Sequence, residues 1–139
     1  MNDTVMLYPV IALALWTQAV LGLLPIQRFR AYFRGQVEVD DFKFGESARV
    51  PAKVSIPNRN YMNLLELPLL FYVVCVCFYV THHGEPLVLA GAWTYVSLRV
   101  LHSLVHLSYN KVTHRLSVFA LSNLVLLALW LRLWWRLSV

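Results

Sequence analysis

Arg59, Asn63 and Glu66 stand at steps of four and three, so on a helix they point the same way. They begin a stretch that otherwise reads as a membrane span. A carboxylate or carboxamide facing lipid is expensive, and an ionisable group inside a helical bundle is normally paired and marks a functional site. Further on, Tyr95, Arg99, His102, His106 and Tyr109 recur at steps of four, three, four and three, a second polar stripe in an apolar run, with Arg115 just beyond it. Arginine forks a carboxylate through two parallel bonds. A glutamate can receive an ammonium, and an arginine beside a thiol favours the thiolate. Together these groups suit a small ligand carrying several charges. A peptide-like thiol with two carboxylates and one amine, as in glutathione, is one candidate; the residue types alone also fit other anionic ligands.

The elements that position these residues follow from composition. Of 139 residues 59% are hydrophobic, the mean hydropathy is +0.58, and only 14% are charged, against about 25% in globular proteins. This predicts a small integral membrane protein of all-α class, because a helix satisfies its own backbone in lipid. Four segments are long enough to span, at about 5–24, 61–80, 87–107 and 117–135. They form one four-span domain, a helical bundle with a long first loop over 26–60. The tight turn His82-His83-Gly84-Glu85-Pro86 makes spans two and three antiparallel neighbours. Trp130, Trp134 and Trp135, with Arg132 and Arg136, read as an aromatic belt with snorkelling cations. The N-terminal apolar run lacks a basic flank and a small-residue cleavage site, so it reads as a retained span.

The net charge of +5 does not argue for nucleic acid, because the basic residues gather in a connecting segment. Loop one carries Arg28, Arg30, Arg34, Lys43, Arg49, Lys53 and Arg59, and loop three carries Lys111 and Arg115, whereas loop two has no lysine or arginine. Loops one and three are therefore expected to be cytoplasmic and both termini on the opposite side. On that topology Arg59, Asn63, Glu66, His102, His106 and Arg115 collect in one cytoplasmic-side zone, with Arg28 and Arg30 near in the chain.

Plainer roles compete for the same residues. Glu66 and Arg99 suit a buried ion pair between spans two and three, and Asn63 suits an interhelical hydrogen bond. His102 and His106 suit a metal, but no third ligand is evident and no metal is expected. Tyr95 and Tyr109 read as packing residues, Lys43, Lys53 and Lys111 as solvated, and Arg115 equally as a topology signal. Cys75 and Cys77, two apart, do not share a helix face and read as small apolar filler.

Taken together, the pattern resembles the MAPEG family, the membrane-associated proteins of eicosanoid and glutathione metabolism, and its microsomal glutathione transferases in particular. The family's Arg-x-x-x-Asn-x-x-Glu motif with a following proline is matched by Arg59, Asn63, Glu66 and Pro68, the proline one residue early. The third-span Arg-x-x-His and the arginine opening the fourth span are matched by Arg99, His102 and Arg115, and the arginine pair ending the first span by Arg28 and Arg30. The resemblance implies a homotrimer with glutathione as cofactor between subunits near the cytoplasmic face. It implies Arg59, Asn63, Glu66 and His102 as glutathione contacts, Arg115 as the catalytic residue that stabilises the thiolate, and Arg30 or Arg28 reaching in from an adjacent subunit. A transferase or peroxidase acting on lipophilic electrophiles is implied, with membrane lipid around it and Trp16 or Leu124 lining the lipid-side pocket. The family also has a non-catalytic lipid-presenting member, so a scaffold of the same fold is the alternative. The sequence departs from the family at His106, where a tyrosine is common, and at Leu116 and Phe119, where the prostaglandin synthase has serine and tyrosine. His106 remains able to bond a carboxylate or thiolate.

Overall fold

Pro25 and Pro57 both lie inside helices, although proline disfavours a helix interior. The computed structural model describes residues 3–138. After a 3-10 turn at Asp3–Met6, α1 spans Leu7–Phe33, α2 Ala52–Leu65, α3 Pro68–Val80, α4 Pro86–Leu107 and α5 Val112–Ser138. No strand forms among the described residues. Four helical stretches are long and apolar enough to cross a membrane, α2 and α3 together making the second. Helix α4 packs chiefly on α5, and α1 on α2 and α4.

The expected loop over 26–60 is thereby corrected to 34–51. A proline removes one helical hydrogen bond, but the last turns of α1 are held by packing, with Ala31 buried against Val37, Val50 and Val54. Gly35 is what stops α1: its φ of +65° turns the chain, and the amides of Gly35 and Gln36 return to the carbonyls of Tyr32 and Ala31 at 2.9 Å each. Within the connection a 3-10 turn occupies Val39–Phe42. The connection is ordered around buried Asp41, which accepts the Glu38 amide at 2.9 Å, the Ser47 hydroxyl at 2.6 Å and Arg49 at 3.0 Å. The Glu38 amide first, then the Ser47 hydroxyl, hold its carboxyl below the ordinary carboxylate value.

The second span is broken because Pro68 lacks the N–H that Leu64 would receive and its ring crowds that carbonyl. The Glu66 amide makes the last regular bond, to Met62 at 3.1 Å, and Leu69 and Leu70 resume with three-residue turns to Glu66 and Leu67.

The core holds Leu13, Val20, Phe71, Val74, Phe78, Ala92 and Leu126, and Tyr95 stacks on Phe71 at 4.5 Å. Cys75 is buried and Cys77 half-buried, both as free thiols. The outer faces show Leu15, Leu69, Val76, Leu124 and Leu131, the surface expected where lipid is the solvent. Trp16, expected to line a lipid-side pocket, instead packs against the core. At the loop-two end Arg132 bonds Glu85 at 2.7 Å and Arg136 pairs with the same carboxylate. Those arginines fasten α5 to the start of α4 as well as flanking the tryptophans.

Candidate functional site

Of the cavities at the loop-one end of the bundle, two adjoin one another. The larger, about 560 Å³, is lined by Arg59, Met62 and Asn63 of α2, His106 of α4, and Asn110 and Arg115. The smaller, about 220 Å³, is lined by Asn63, His102, Arg115, Leu116 and Phe119. Asn63 and Arg115 belong to both, so α2, α4 and α5 each supply a wall.

Arg115 sits in the first turn of α5, its amide bonded to the Lys111 carbonyl at 3.1 Å. Its Nη1 donates to Asn110 Oδ1 at 2.7 Å, and its buried Nε has no partner. Asn110 can hold it there because the chain reverses between α4 and α5 with Asn110 left-handed at φ +49°. Asparagine tolerates that conformation better than most side chains. The Arg115 carbonyl receives His102 Nδ1 at 3.1 Å. A carbonyl can only accept, so that nitrogen carries the hydrogen, and Nε2 of the neutral ring is left as a buried acceptor with no partner.

On α4, Tyr95, Arg99, His102 and His106 are all buried on one face, as the stripe predicted. Tyr109 does not continue it: it lies past the end of α4, exposed, with its hydroxyl 3.0 Å from His114 Nδ1. The His102 and His106 rings lie 6.1 Å apart, edge to face, and neither nitrogen of His106 has a partner. Among the described residues no group of three metal-ligating side chains comes together.

The proposed Glu66–Arg99 pair does not form. Arg99 is fully buried and donates through Nη2 to the backbone carbonyl of Asn63, while Glu66 is exposed. The interhelical amide bond foreseen for Asn63 is made instead by Asn60, whose Nδ2 donates to Ser103 Oγ at 2.6 Å. Both of those residues are buried, and neither stood out in the sequence. Arg30 is exposed in the last turn of α1 and, like Glu66, lines neither cavity. Arg28 is engaged elsewhere, 3.3 Å from Glu46 and stacked over Phe42 at 4.5 Å. The structure thus brings Arg59, Asn63, His102, His106 and Arg115 together and leaves Arg30 and Glu66 on the outside of the chain. Asn110, Ser55 and Asn58 are additional polar lining residues.

The model of the MAPEG family matches residues 6–135. No curated protein and no solved structure matches the chain. With four apolar spans and a polar site walled by α2, α4 and α5, a match over nearly the whole length places the chain in the MAPEG family, membrane proteins of glutathione and eicosanoid metabolism that include both enzymes and non-catalytic members.

Proposed function

We propose that this protein is a glutathione-dependent membrane transferase or peroxidase acting on lipophilic electrophiles. The observation that carries the reading is the pair of cavities sharing Asn63 and Arg115, edged by buried polar atoms without partners: Arg115 Nε, His102 Nε2 and both nitrogens of His106. Buried polar groups are costly unless bonded, so such a cluster fits a polar ligand. Charge supports the same ligand. Arg59 and Arg115 bring two positive charges to the cavity walls, and glutathione as thiolate carries two net negative charges.

When bound, the thiol supplies a sulfur nucleophile: its S–C bond forms as a leaving group departs with the bonding pair, or two thiols pass two electrons to a hydroperoxide and give disulfide, alcohol and water. The protein's part is to orient and stabilise. Arg115, fixed by Asn110, offers a cation to the thiolate, a type of charge stabilisation worth a few kcal/mol. Arg59 forks a carboxylate, Asn63 and His106 bond the peptide, and His102 Nε2 accepts from a ligand N–H or S–H.

A homotrimer completes the site in this reading. Arg30 and Glu66 are exposed on the outside of the chain, Glu66 within a span, where an uncovered charge is expensive. A neighbouring copy covers them and brings Arg30 toward the ligand. Loops one and three face the cytoplasm.

A titration of the purified protein with glutathione, followed by ultraviolet thiolate absorbance, tests the reading. Saturable binding with thiolate formation at neutral pH is expected, together with conjugation of an activated aryl halide or reduction of a lipid hydroperoxide. Absence of saturable binding at millimolar glutathione refutes it and favours the non-catalytic scaffold. One feature favours that second reading: Leu116 and Phe119 line the smaller cavity beside Arg115, so no hydroxyl side chain from these positions stands by the thiol.

A further inference from the structure

The interruption between α2 and α3 and the buried Arg99 explain one another. The helix opens ahead of Pro68, whose ring crowds the Leu64 carbonyl, and at that break the Leu67 N–H, the regular partner of the Asn63 carbonyl, does not return to it. Arg99, on α4, is fully buried and turns Nη2 to that carbonyl. It also lies over the Phe119 ring at 5.6 Å from its centroid. The guanidinium, carried by α4, therefore meets two other helices that wall the cavities: α2 at Asn63 and α5 at Phe119. Asn63, whose carbonyl it holds, lines both cavities. Arg99 itself lines neither.

We propose that Arg99 is a positioning residue: it clamps the Pro68 break to α4 and so aims Asn63, and Arg59 one turn before it, at the ligand opposite His102, His106 and Arg115. The proposal rests on the cavities being a glutathione site. It differs from an ion-pair role, because the partner is a backbone carbonyl exposed by a proline. Arg99 and Pro68 should consequently act as a unit. Alanine at position 68 relieves the crowding of the Leu64 carbonyl, lets the helix run on, and returns the Asn63 carbonyl to its regular partner, the Leu67 N–H, so that Arg99 loses its acceptor.

The test compares Arg99→Met, Arg99→Lys, Pro68→Ala and the double variant Pro68→Ala/Arg99→Met in the full-length protein. Glutathione affinity, KM against kcat, and thermal midpoint are measured for each. Arg99→Met keeps length but cannot donate, and is expected to raise the glutathione Kd and KM roughly tenfold while kcat stays within about twofold. Arg99→Lys, which retains a donor, recovers most of the loss. The double variant is expected to be no worse than the worse single one. Unchanged Kd and KM in Arg99→Met, or losses that multiply in the double variant, overturn the proposal. Should Arg99→Met fail to fold, Pro68→Ala decides: an unchanged glutathione Kd and KM there, where Arg99 has lost its acceptor, overturn the proposal equally. Should the wild-type protein bind no glutathione, the functional reading fails by itself. The thermal midpoints of the same cycle then decide the clamp, coupling supporting it and additivity refuting it.

Discussion

Replacing Arg115 with glutamine should leave the bundle standing and disarm the thiol. Arg115 is half-buried, lines both cavities and is already oriented by Asn110. A unit charge about 4 Å from a thiolate contributes roughly 4 kcal/mol at the effective dielectric of a partly exposed site. Partial exposure, and Arg59 and Arg99 remaining nearby, argue for halving that to about 2 kcal/mol. At about 1.36 kcal/mol per pH unit, the midpoint of the bound thiol should rise by roughly 1.5 units. A thiol held near pH 7 by the arginine would return to about 8.5, and its ionised fraction at pH 7 would fall about fifteenfold. Ultraviolet absorbance of the thiolate against pH measures this directly, and kcat/KM against pH should move with it, the variant recovering toward pH 9. A midpoint displaced by less than about 0.3 units, in a variant with unchanged glutathione affinity, would refute the assignment of the thiolate to Arg115.

Other consequences are local. Asn110→Ala removes the acceptor that fixes Arg115 and should cut kcat about tenfold, the worth of a charge-assisted bond; unchanged kcat would show that Arg115 orients without it. At the far end, Arg132 and then Arg136 hold the Glu85 carboxyl below its ordinary value of 4.5. The stability it contributes is therefore complete above pH 4.5 and is lost as pH falls through the depressed value. Thermal midpoints of the wild type and Glu85→Gln should differ at pH 7 and converge in acid, and a difference that grows in acid would contradict the pairing. In the buried Asn60–Ser103 bond the Asn60 Oδ1 already lacks a partner. Ser103→Ala, which strands the whole amide, should cost about 1–2 kcal/mol. It should cost more than Asn60→Leu, which removes the amide altogether, and urea unfolding in micelles gives the order.

How much of this was legible in the sequence depended on whether a residue acts through its period or through its backbone. The α4 face of Tyr95, Arg99, His102 and His106 was readable because helical spacing alone puts them together, and burial of all four follows from it. Asn63 and Arg115 were readable as polar residues at the ends of spans. The helix ends were not, because proline weighs locally while packing of Ala31 with Val37, Val50 and Val54 acts across the loop. Nor was the choice between Asn60 and Asn63: both are asparagines on α2, three residues apart, and only the approach of Ser103 decides which amide ties the helices. Arg99 was the hardest. A buried arginine in a span calls for a carboxylate, and Glu66 was at hand, but the partner is a main-chain carbonyl that exists as an acceptor only because Pro68 breaks the helix. Glu66 is thereby left free on the outer surface beside the site. In a single chain that is a costly place for a carboxylate. It becomes reasonable if the residue answers to a ligand and a neighbouring copy, so the missing ion pair inside the chain is itself an argument for a site finished between chains.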